Sequence, residues 1–365
     1  MVEWKKLGEV CGLERGVRVI KKDLQQEGLI PVFQNSLVPL GFFNKSNYPP
    51  NTPFVICAGA AGEVGFCSKP FWAADDCTCI LCSPSIDNKY IYYCLLVNQH
   101  TLKSQVRKAS VPRLSKDVIS KLIIPVPSLS EQQRIVGILD TFTSSIENLK
   151  EQIAQRRKQY EYYRDQLLDL EGKEGVEMKT LGEVCEIKGD YGLSVPSKPF
   201  DGVRYLRITG ITDMGWLNDD AVSADLKEEC NKEPLVDGDI LFARTGATVG
   251  KTLVYRNEFG KCFFAGYLIR YRLNKSIVSP QFMFHFTHST KYYNWVQSSL
   301  ATGAQPNISA QRYNVLTFPV PSISEQQRIV SILDTFEASI QNLEAQLKQR
   351  EKQYEYYRNK LLTFE

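Results

Sequence analysis

The sequence has no long apolar run and no apolar segment near its start. Nowhere in its 365 residues do about 18 apolar residues follow one another, which is the minimum for a membrane-spanning helix. The opening residues MVEWKKLGEV lack the apolar core and the small-residue cleavage site of a secretory signal. We therefore expect a cytoplasmic protein that does not span a membrane.

Sequence signatures of catalysis are also missing. The Asn/Asp-Pro-Pro-Tyr/Phe motif of adenine methyltransferases is absent, since YPPN at 48–51 does not match it. The segment ARTGATVGKT (243–252) resembles a phosphate-binding loop, but Thr245 stands where that motif requires its first glycine. Gly246 is one residue too close to replace it. We expect a chain with no catalytic residues and no cofactor of its own.

Metal-binding patterns are weak. Cys77, Cys79 and Cys82 contain a single C-x-x-C pair, whereas a structural zinc site usually needs four ligands. The alternation in DDCTCILC instead indicates a strand that packs its thiols inward. His285 and His288 lie in an aromatic stretch and are predicted to pack against helices. The scattered cysteines predict free thiols rather than a disulfide framework, and we expect no metal site.

The net charge of +3 is unevenly distributed. Residues 1–127 carry a net charge of +5 and residues 172–322 carry +1, whereas residues 128–171 carry −2 and residues 323–365 carry −1. The positive excess in the two longer segments is mild support for a polyanionic partner there.

A long internal repeat dominates the chain. SEQQRIVGILDTFTSSIENLKEQIAQRRKQYEYYRDQLLDL (130–170) aligns without a gap with SEQQRIVSILDTFEASIQNLEAQLKQREKQYEYYRNKLLTF (324–364), and 28 of the 41 positions are identical. KKLGEVC (5–11) recurs as KTLGEVC (179–185), while the sequence between these repeats diverges. The predicted segments are a globular segment at 1–127, a helix at 128–171, a linker at 172–177, a globular segment at 178–322 and a helix at 323–365.

The constant segments are predicted to be coiled-coil helices. Each follows a Pro-Val-Pro sequence that cannot continue a helix backward. Ser130 with Gln133, and Ser324 with Gln327, form candidate capping boxes. Apolar residues then recur at alternating steps of four and three, which is the 3.5-residue period of a coiled coil. The predicted seam consists of Leu139, Phe142, Ile146, Leu149, Ile153, Leu333, Phe336, Ile340, Leu343 and Leu347.

One such helix cannot bury its own apolar stripe, so the two copies are expected to pair. Antiparallel pairing within the chain suits the short connector 171–178 and gives a pseudo-two-fold arrangement of the globular segments. The alternative is a coiled coil that joins two separate chains. We favour the intramolecular pair because both matched helices occur in one chain.

The two globular segments are predicted to be rich in β-structure. Segments such as YLRITGI (205–211), DILFART (239–245) and TPFVICA (52–58) place β-branched and aromatic residues between breaks rich in Gly and Asn. Together with the helices they predict an α+β fold.

The chain resembles the specificity subunits of type I restriction-modification enzymes over nearly its whole length. LRITGIT (206–212), DGDILFARTGATVGK (237–251) and ATGAQPNIS (301–309) look like one version of the target-recognition domain of that family. IPVFQNSLVPLGF (30–42) and AGAAGEVG (58–65) are similar to another version. The most specific feature is the P-x-P-x-x-x-E-Q-x-x-I start of each helix, which occurs twice.

This resemblance implies two target-recognition domains, each of which reads one half of an asymmetric bipartite DNA site. The helices would set the gap and dock two methylation subunits, and restriction subunits would complete the complex. S-adenosylmethionine, ATP and Mg are then expected on the partner subunits, whose complex would be an adenine-specific DNA methyltransferase and an ATP-dependent endonuclease. The alternative is a structural coiled-coil adaptor that joins two protein-binding domains.

Candidate DNA contacts lie in the loops of the globular segments. Gln and Asn can pair with adenine and Arg with guanine, while basic and hydroxyl side chains in a glycine-containing loop can reach phosphates. The AGAAGEVG loop carries Glu63 and no basic residue, which puts its DNA role in doubt. For all these loops the alternative is an ordinary turn. The candidates are Arg207, Thr209, Arg244, Thr245, Thr248, Lys251, Gln305 and Asn307 in the second segment, and Gln34, Asn35, Lys45 and Arg113 in the first.

Overall fold

The computed structural model describes residues 2–25, 27–226, 232–300 and 306–364. It divides into two compact units: the first comprises residues 1–151 and 344–365, and the second comprises residues 152–343. Each unit contains one globular segment, the first half of one long helix and the second half of the other. The compact units therefore cut across the segments predicted from the sequence pattern.

The two long helices are present where the repeat predicted them. α5 spans Leu129–Leu168 and α9 spans Ile323–Thr363. At 40 and 41 residues, each is about 60 Å long at 1.5 Å per residue. Within the described residues, no helix combines the length and the apolar character needed to cross a bilayer.

Each long helix starts one residue earlier than its predicted cap. Ser128 Oγ accepts the Glu131 N–H at 3.4 Å, and Ser322 Oγ accepts the Glu325 N–H at 3.3 Å. The capping boxes predicted at Ser130 and Ser324 were therefore wrong. The Ser-x-Ser spacing offered two candidate caps, and the serine that directly follows the Pro-Val-Pro strand takes this position.

The residues of the predicted seam are shielded from solvent within each unit. All ten seam residues are buried or half-buried. In the first unit the ring of Phe142 stacks on Tyr357 at 5.3 Å, and in the second the ring of Phe336 stacks on Tyr163 at 5.4 Å. Phe142 lies early in α5 and Tyr357 late in α9, so the helices pair antiparallel. The second contact is the first with the roles of the two helices exchanged.

The first unit is built on a four-stranded antiparallel sheet in the order β2-β8-β5-β6, with a smaller sheet in the order β4-β3-β7. The helix α2 packs against this sheet. The strands of the first unit are β1 (Glu3–Lys6), β2 (Cys11–Arg15), β3 (Ile30–Phe33), β4 (Gly41–Phe43), β5 (Pro53–Ile56), β6 (Val64–Phe66), β7 (Trp72–Ala73), β8 (Cys77–Cys82) and β9 (Ile123–Val126), and its short helices are α1 (Leu7–Val10), α2 (Asn88–Val97), α3 (Gln99–Ser104) and α4 (Lys116–Ser120).

The second unit repeats this plan with the sheet order β11-β18-β15-β16. Together with the two long helices, these mixed units confirm the predicted α+β fold. The strands of the second unit are β10 (Glu177–Thr180), β11 (Cys185–Tyr191), β12 (Ser197–Pro199), β13 (Arg204–Leu206), β14 (Val222–Ala224), β15 (Ile240–Ala243), β16 (Thr252–Val254), β17 (Cys262–Phe264), β18 (Leu268–Leu273) and β19 (Thr317–Val320), and its short helices are α6 (Pro280–Phe286), α7 (Thr290–Ser299) and α8 (Ala310–Asn314).

The repeated segment ends pair with each other inside each unit. β1 pairs antiparallel with β9, and β10 pairs antiparallel with β19. The strand that carries each Pro-Val-Pro leads directly into a long helix, so each pairing fixes where that helix leaves the globular segment.

A buried glutamine joins the start of each long helix to its globular segment. Gln132 is fully buried, and its Oε1 accepts the Asp87 N–H at 2.8 Å while its Nε2 donates to the Pro127 carbonyl at 3.0 Å. Gln326 accepts the Ser279 N–H at 2.8 Å and donates to the Ile277 and Pro321 carbonyls at 2.9 Å. The E-Q of the repeated motif is therefore a structural joint.

We predict that Gln326→Ala lowers the free energy of unfolding by about 1–3 kcal/mol, because the substitution leaves buried backbone groups without partners. The matched control is Gln327→Ala at the adjacent exposed position, which should change it by less than about 0.5 kcal/mol. Urea unfolding followed by circular dichroism measures both. Equal effects of the two substitutions would show that the buried amide is not a joint.

Candidate nucleic-acid interface

In the second unit, the loop after β15 pairs with the segment that leads into α8. The Gly246 N–H donates to the Pro306 carbonyl and the Ile308 N–H donates to the Arg244 carbonyl, both at 2.9 Å. Thr245 and Asn307 face each other in this bridge. The fold thus brings together three candidates that came from two separate sequence motifs.

Arg244 lies in an aromatic setting beside this bridge. Its guanidinium lies over the ring of Tyr191, 4.9 Å from the centroid. The backbone N–H of Arg244 donates to the carbonyl of Tyr267 at 3.0 Å. The Tyr267 side chain is 59% exposed. The buried Nε of Arg244 has no hydrogen-bond partner among the described residues. A cation, two tyrosines and the exposed amide of Asn307 make a surface suited to phosphate or base contact.

Other candidates from the same loop do not join this group. The Lys251 ammonium contacts Asp213 Oδ1 at 2.7 Å and holds the pKa of that carboxyl below its usual value. Thr248 Oγ1 donates to the Thr245 carbonyl at 3.2 Å, so it stabilises the turn. Their assignment as DNA contacts stays a prediction, without the clustering that supports Arg244.

Arg207 and Thr209 form a separate group. Arg207 lies 3.5 Å from Asp220 Oδ2 and donates to Ser197 Oγ at 3.3 Å. Thr209 is exposed, and its carbonyl accepts from the Asn218 side chain at 3.0 Å. Gln305 lies outside the described residues.

The first unit repeats the loop bridge with different side chains. The Gly59 N–H donates to the Pro112 carbonyl at 3.2 Å, and the Leu114 N–H donates to the Cys57 carbonyl at 2.8 Å. Ala58 and Arg113 face each other there. Arg113 thus takes the position of Asn307, and Cys57 takes the position of Arg244.

Two further candidates border this bridge and one lies apart from it. The Asn35 carbonyl accepts the Ala60 N–H at 2.9 Å, and the carbonyl of Gln34 accepts from the Cys77 thiol at 3.3 Å. Lys45 lies over the ring of Trp72, 5.3 Å from the centroid, in another groove.

The charge that put the first loop in doubt is locally paired. Glu63 lies 3.8 Å from the ammonium of Lys103. A cleft of about 720 Å³ opens beside the bridge. Its lining includes four basic side chains and two carboxylates: Arg15, Arg107, Arg113, Lys116, Asp75 and Asp76. Basic side chains therefore do flank this loop, although the loop carries none.

Two of the three cysteines of β8 pack into the core of the first unit. Cys77 and Cys79 are fully buried, and burial raises the pKa of both thiols. Every cysteine in the described part of the chain is a free thiol. The inward-packed strand predicted from DDCTCILC is confirmed for these two residues.

A buried polar cluster joins α6 to the long helices of the second unit. His285 Nε2 lies 2.7 Å from Asp334 Oδ1 and Nδ1 lies 3.0 Å from the Tyr160 hydroxyl, which donates to Glu337 at 3.1 Å. Burial raises the pKa of Glu337. Ligand atoms of His285, Asp334 and Glu337 lie within 4.8 Å of one another. His285 already hydrogen-bonds Asp334, and Glu337 accepts from the Tyr160 hydroxyl, which favours a polar helix junction. The expectation of no metal site stays a prediction.

Several members of these sites were not predicted from the sequence. Arg15 and Tyr191 end strands that are distant in sequence from the loop motifs, and Tyr267 lies in the turn before β18. The buried roles of Gln132 and Gln326 were not predicted either. The repetition of the E-Q pair in both helices was the one signal available for them.

Each unit thus presents a loop bridge on a β-sheet that packs with halves of both long helices. The family model of the type I restriction modification DNA specificity domain matches residues 1–156 and 173–351. The chain therefore belongs to this family.

Curated relatives cover the chain from end to end. A putative type I restriction enzyme specificity subunit of Haemophilus influenzae is 27% identical, with 100% of this chain and 96% of the relative covered. The EcoR124I/EcoR124II specificity subunit of Escherichia coli is 28% identical, with 100% and 94% covered. The crystal structure of a type I restriction-modification S subunit from M. genitalium has a TM-score of 0.70 at 19% identity, with 99% and 96% covered, which shows the same fold.

A pH dependence of stability follows from His288, which is buried beside Phe284. Its Nδ1 donates to the Phe284 carbonyl at 2.8 Å, and burial lowers its pKa from 6.5 to about 4. Between pH 6.5 and about 4, the unfolded chain binds a proton that the folded chain does not. Stability contributed by the neutral ring is therefore lost as pH falls through this window, by up to about 3 kcal/mol.

We predict that His288→Gln flattens the pH dependence of the unfolding free energy between pH 6.5 and 4.5. Comparison with the wild type is essential, because the raised pKa of Glu337 acts with the opposite sign. His100→Gln, at an exposed position, is the matched control and should leave the slope unchanged. Urea titrations at several pH values measure the slopes, and an unchanged slope in His288→Gln would contradict the assignment.

Proposed function

We propose that this chain is the DNA-recognition subunit of a type I restriction-modification complex and that each unit reads one half of an asymmetric bipartite site. The family supports the class of function. The bridges support the assignment of one half-site to each unit, because each unit carries its own candidate DNA surface.

The observation that carries this proposal is the loop bridge with exchanged side chains. Both units form the same pair of backbone hydrogen bonds between the loop and a segment that precedes a short helix, which is α8 in the second unit and α4 in the first. Arg244 and Asn307 occupy the bridge in one unit, and Cys57 and Arg113 occupy the same positions in the other. Since base edges are distinguished by side-chain donors and acceptors, two such surfaces should recognise different bases.

The long helices are proposed to set the gap and to dock two methylation subunits. Each helix carries an exposed tyrosine at the same repeat position: Tyr162 is 62% exposed and Tyr356 is 59% exposed. Exposed aromatic residues on a helix are suitable anchors for a protein partner. Their duplication supports two equivalent docking sites, one for each methylation subunit.

Chemistry is assigned to the partner subunits in this proposal. The chain would bind no cofactor, while S-adenosylmethionine, ATP and Mg would be held by the methylation and restriction subunits in the cytoplasm. The support is the resemblance of the chain to specificity subunits together with the missing catalytic motifs.

We predict that Arg244→Ala, in the complex with its methylation subunits, lowers affinity for the complex's own site about 10-fold or more, while random DNA is bound with little change. The control Arg256→Ala lies beyond the other end of β16 and should have little effect. Binding is measured at one stated salt concentration. If the wild-type complex binds its own site and random DNA equally, the recognition function is wrong and the adaptor alternative is favoured.

We predict that Tyr162→Ala together with Tyr356→Ala weakens binding of the methylation subunits about 10-fold or more, because two aromatic anchors are lost. The matched control is the double Tyr→Phe variant, which keeps both rings and should bind normally. Native mass spectrometry gives the stoichiometry and titration gives the affinity. Unchanged affinity of the Ala variant would place the docking surface elsewhere.

A further inference from the structure

The first unit has a cation beside its loop bridge that comes from a different strand. Arg15 ends β2, and its side chain is 66% exposed. It lines the same cleft as Cys57 and Arg113. The loop itself carries no basic residue, so this neighbouring strand supplies the charge.

Backbone contacts show which residue of the second unit corresponds to Arg15. The Gly16 N–H donates to the Cys77 carbonyl at 3.0 Å, and the Gly192 N–H donates to the Leu268 carbonyl at 3.3 Å. A Cβ on either glycine would lie 2.2–2.3 Å from a backbone carbonyl oxygen of the neighbouring segment, so at both positions the two backbones approach equally closely. The residues before these glycines, Arg15 and Tyr191, therefore correspond.

The remaining positions follow from the same framework. The Cys57 N–H donates to the Asp76 carbonyl at 2.6 Å, and the Arg244 N–H donates to that of Tyr267 at 3.0 Å. In the second unit the cation thus follows β15 and lies on the ring from β11. In the first unit β2 carries the cation, and the position after β5 holds the small residue Cys57.

Arg15 is held in a defined orientation. Its Nε donates to the Asp75 carbonyl at 2.6 Å, and its Nη2 lies 3.7 Å from Asp75 Oδ2. Its Nη1 has no hydrogen-bond partner among the residues that the structure describes. An arginine anchored at Nε can still present its two terminal nitrogens to a pair of acceptors, as the O6 and N7 atoms of guanine provide.

We propose that Arg15 is the base-reading cation of the first unit, where it takes the role that Arg244 has in the second, and that its ligand is a guanine edge in the major groove. This inference rests on the proposed DNA-recognition function. It goes beyond it by assigning the recognition of one half-site to a strand residue outside the loop motifs.

The test compares Arg15→Ala, Arg15→Lys and the control Lys69→Ala in the complex with its methylation subunits. Lys69 lies beyond the other end of β6 from the loop and is exposed. Affinity is measured for the complex's own site, for random DNA and for sites altered in one half or the other, over a range of salt concentrations. Unchanged midpoints of urea unfolding confirm that the variants are folded.

We expect Arg15→Ala to lower the ratio of specific to random affinity about 10- to 100-fold, and Arg15→Lys not to restore it, because lysine cannot form the paired contact. Arg15→Ala should relax discrimination in one half-site and Arg244→Ala in the other. Lys69→Ala should leave the ratio unchanged.

Other outcomes separate the possible errors. Equal loss of affinity for both DNAs, with a salt slope reduced by about one and rescue by lysine, would identify a phosphate contact and overturn the proposal. No change in Arg15→Ala would overturn it as well. A wild-type complex without preference for any site would refute the recognition function itself, whereas a selective wild type with an equally selective Arg15→Ala would refute this assignment alone.

Discussion

The fold depends on two long helices that complete each other's apolar stripes inside each unit. Phe142 of α5 stacks on Tyr357 of α9 in the first unit, and Phe336 of α9 stacks on Tyr163 of α5 in the second. The core of the first unit contains Leu362 from the end of α9 as well as its own residues. Neither unit therefore has a complete core without half of each helix. Because one chain supplies both halves, each long helix contributes to the core of both units.

At the loop bridges, the backbone fixes the geometry while the side chains differ between the two units. Backbone hydrogen bonds, which do not depend on side-chain identity, hold the loop to the following segment in both units. The side chains on this frame can then change freely, as the exchange of Asn307 for Arg113 shows. Under the proposed function, such a surface changes its base preference without loss of the fold, since backbone atoms position it and side-chain atoms contact the bases. The position of the arginine also differs, because Arg15 ends β2 whereas Arg244 follows β15.

The parts of the structure that depend on local pattern were predictable, and those that depend on tertiary contact were not. Apolar residues at a 3.5-residue period predicted both helices and their seam, because that period places the apolar side chains on one face of a helix. Asn307 and Arg244 could be identified as candidates by residue type, but not as neighbours, because the bridge joins segments about 60 residues apart. The caps failed because two serines compete for the same place. Lys251 shared a motif with Arg244, yet its charge is paired with Asp213.

The polar centres beside the helices also differ between the two units in the residues that complete them. Asp140 and Asp334 occupy the same repeat position and each needs a donor. In the first unit Lys89 donates to Asp140 at 2.9 Å and the Tyr93 hydroxyl donates at 2.6 Å. In the second, His285 takes this place, and Glu337 adds a carboxyl that the Tyr160 hydroxyl partners. Glu337 is buried, and a carboxyl buried without a partner would cost several kcal/mol, so the Tyr160 hydroxyl that donates to it stabilises this centre. The two helices therefore present an aspartate at equivalent positions, and the globular segment of each unit supplies different donors to it.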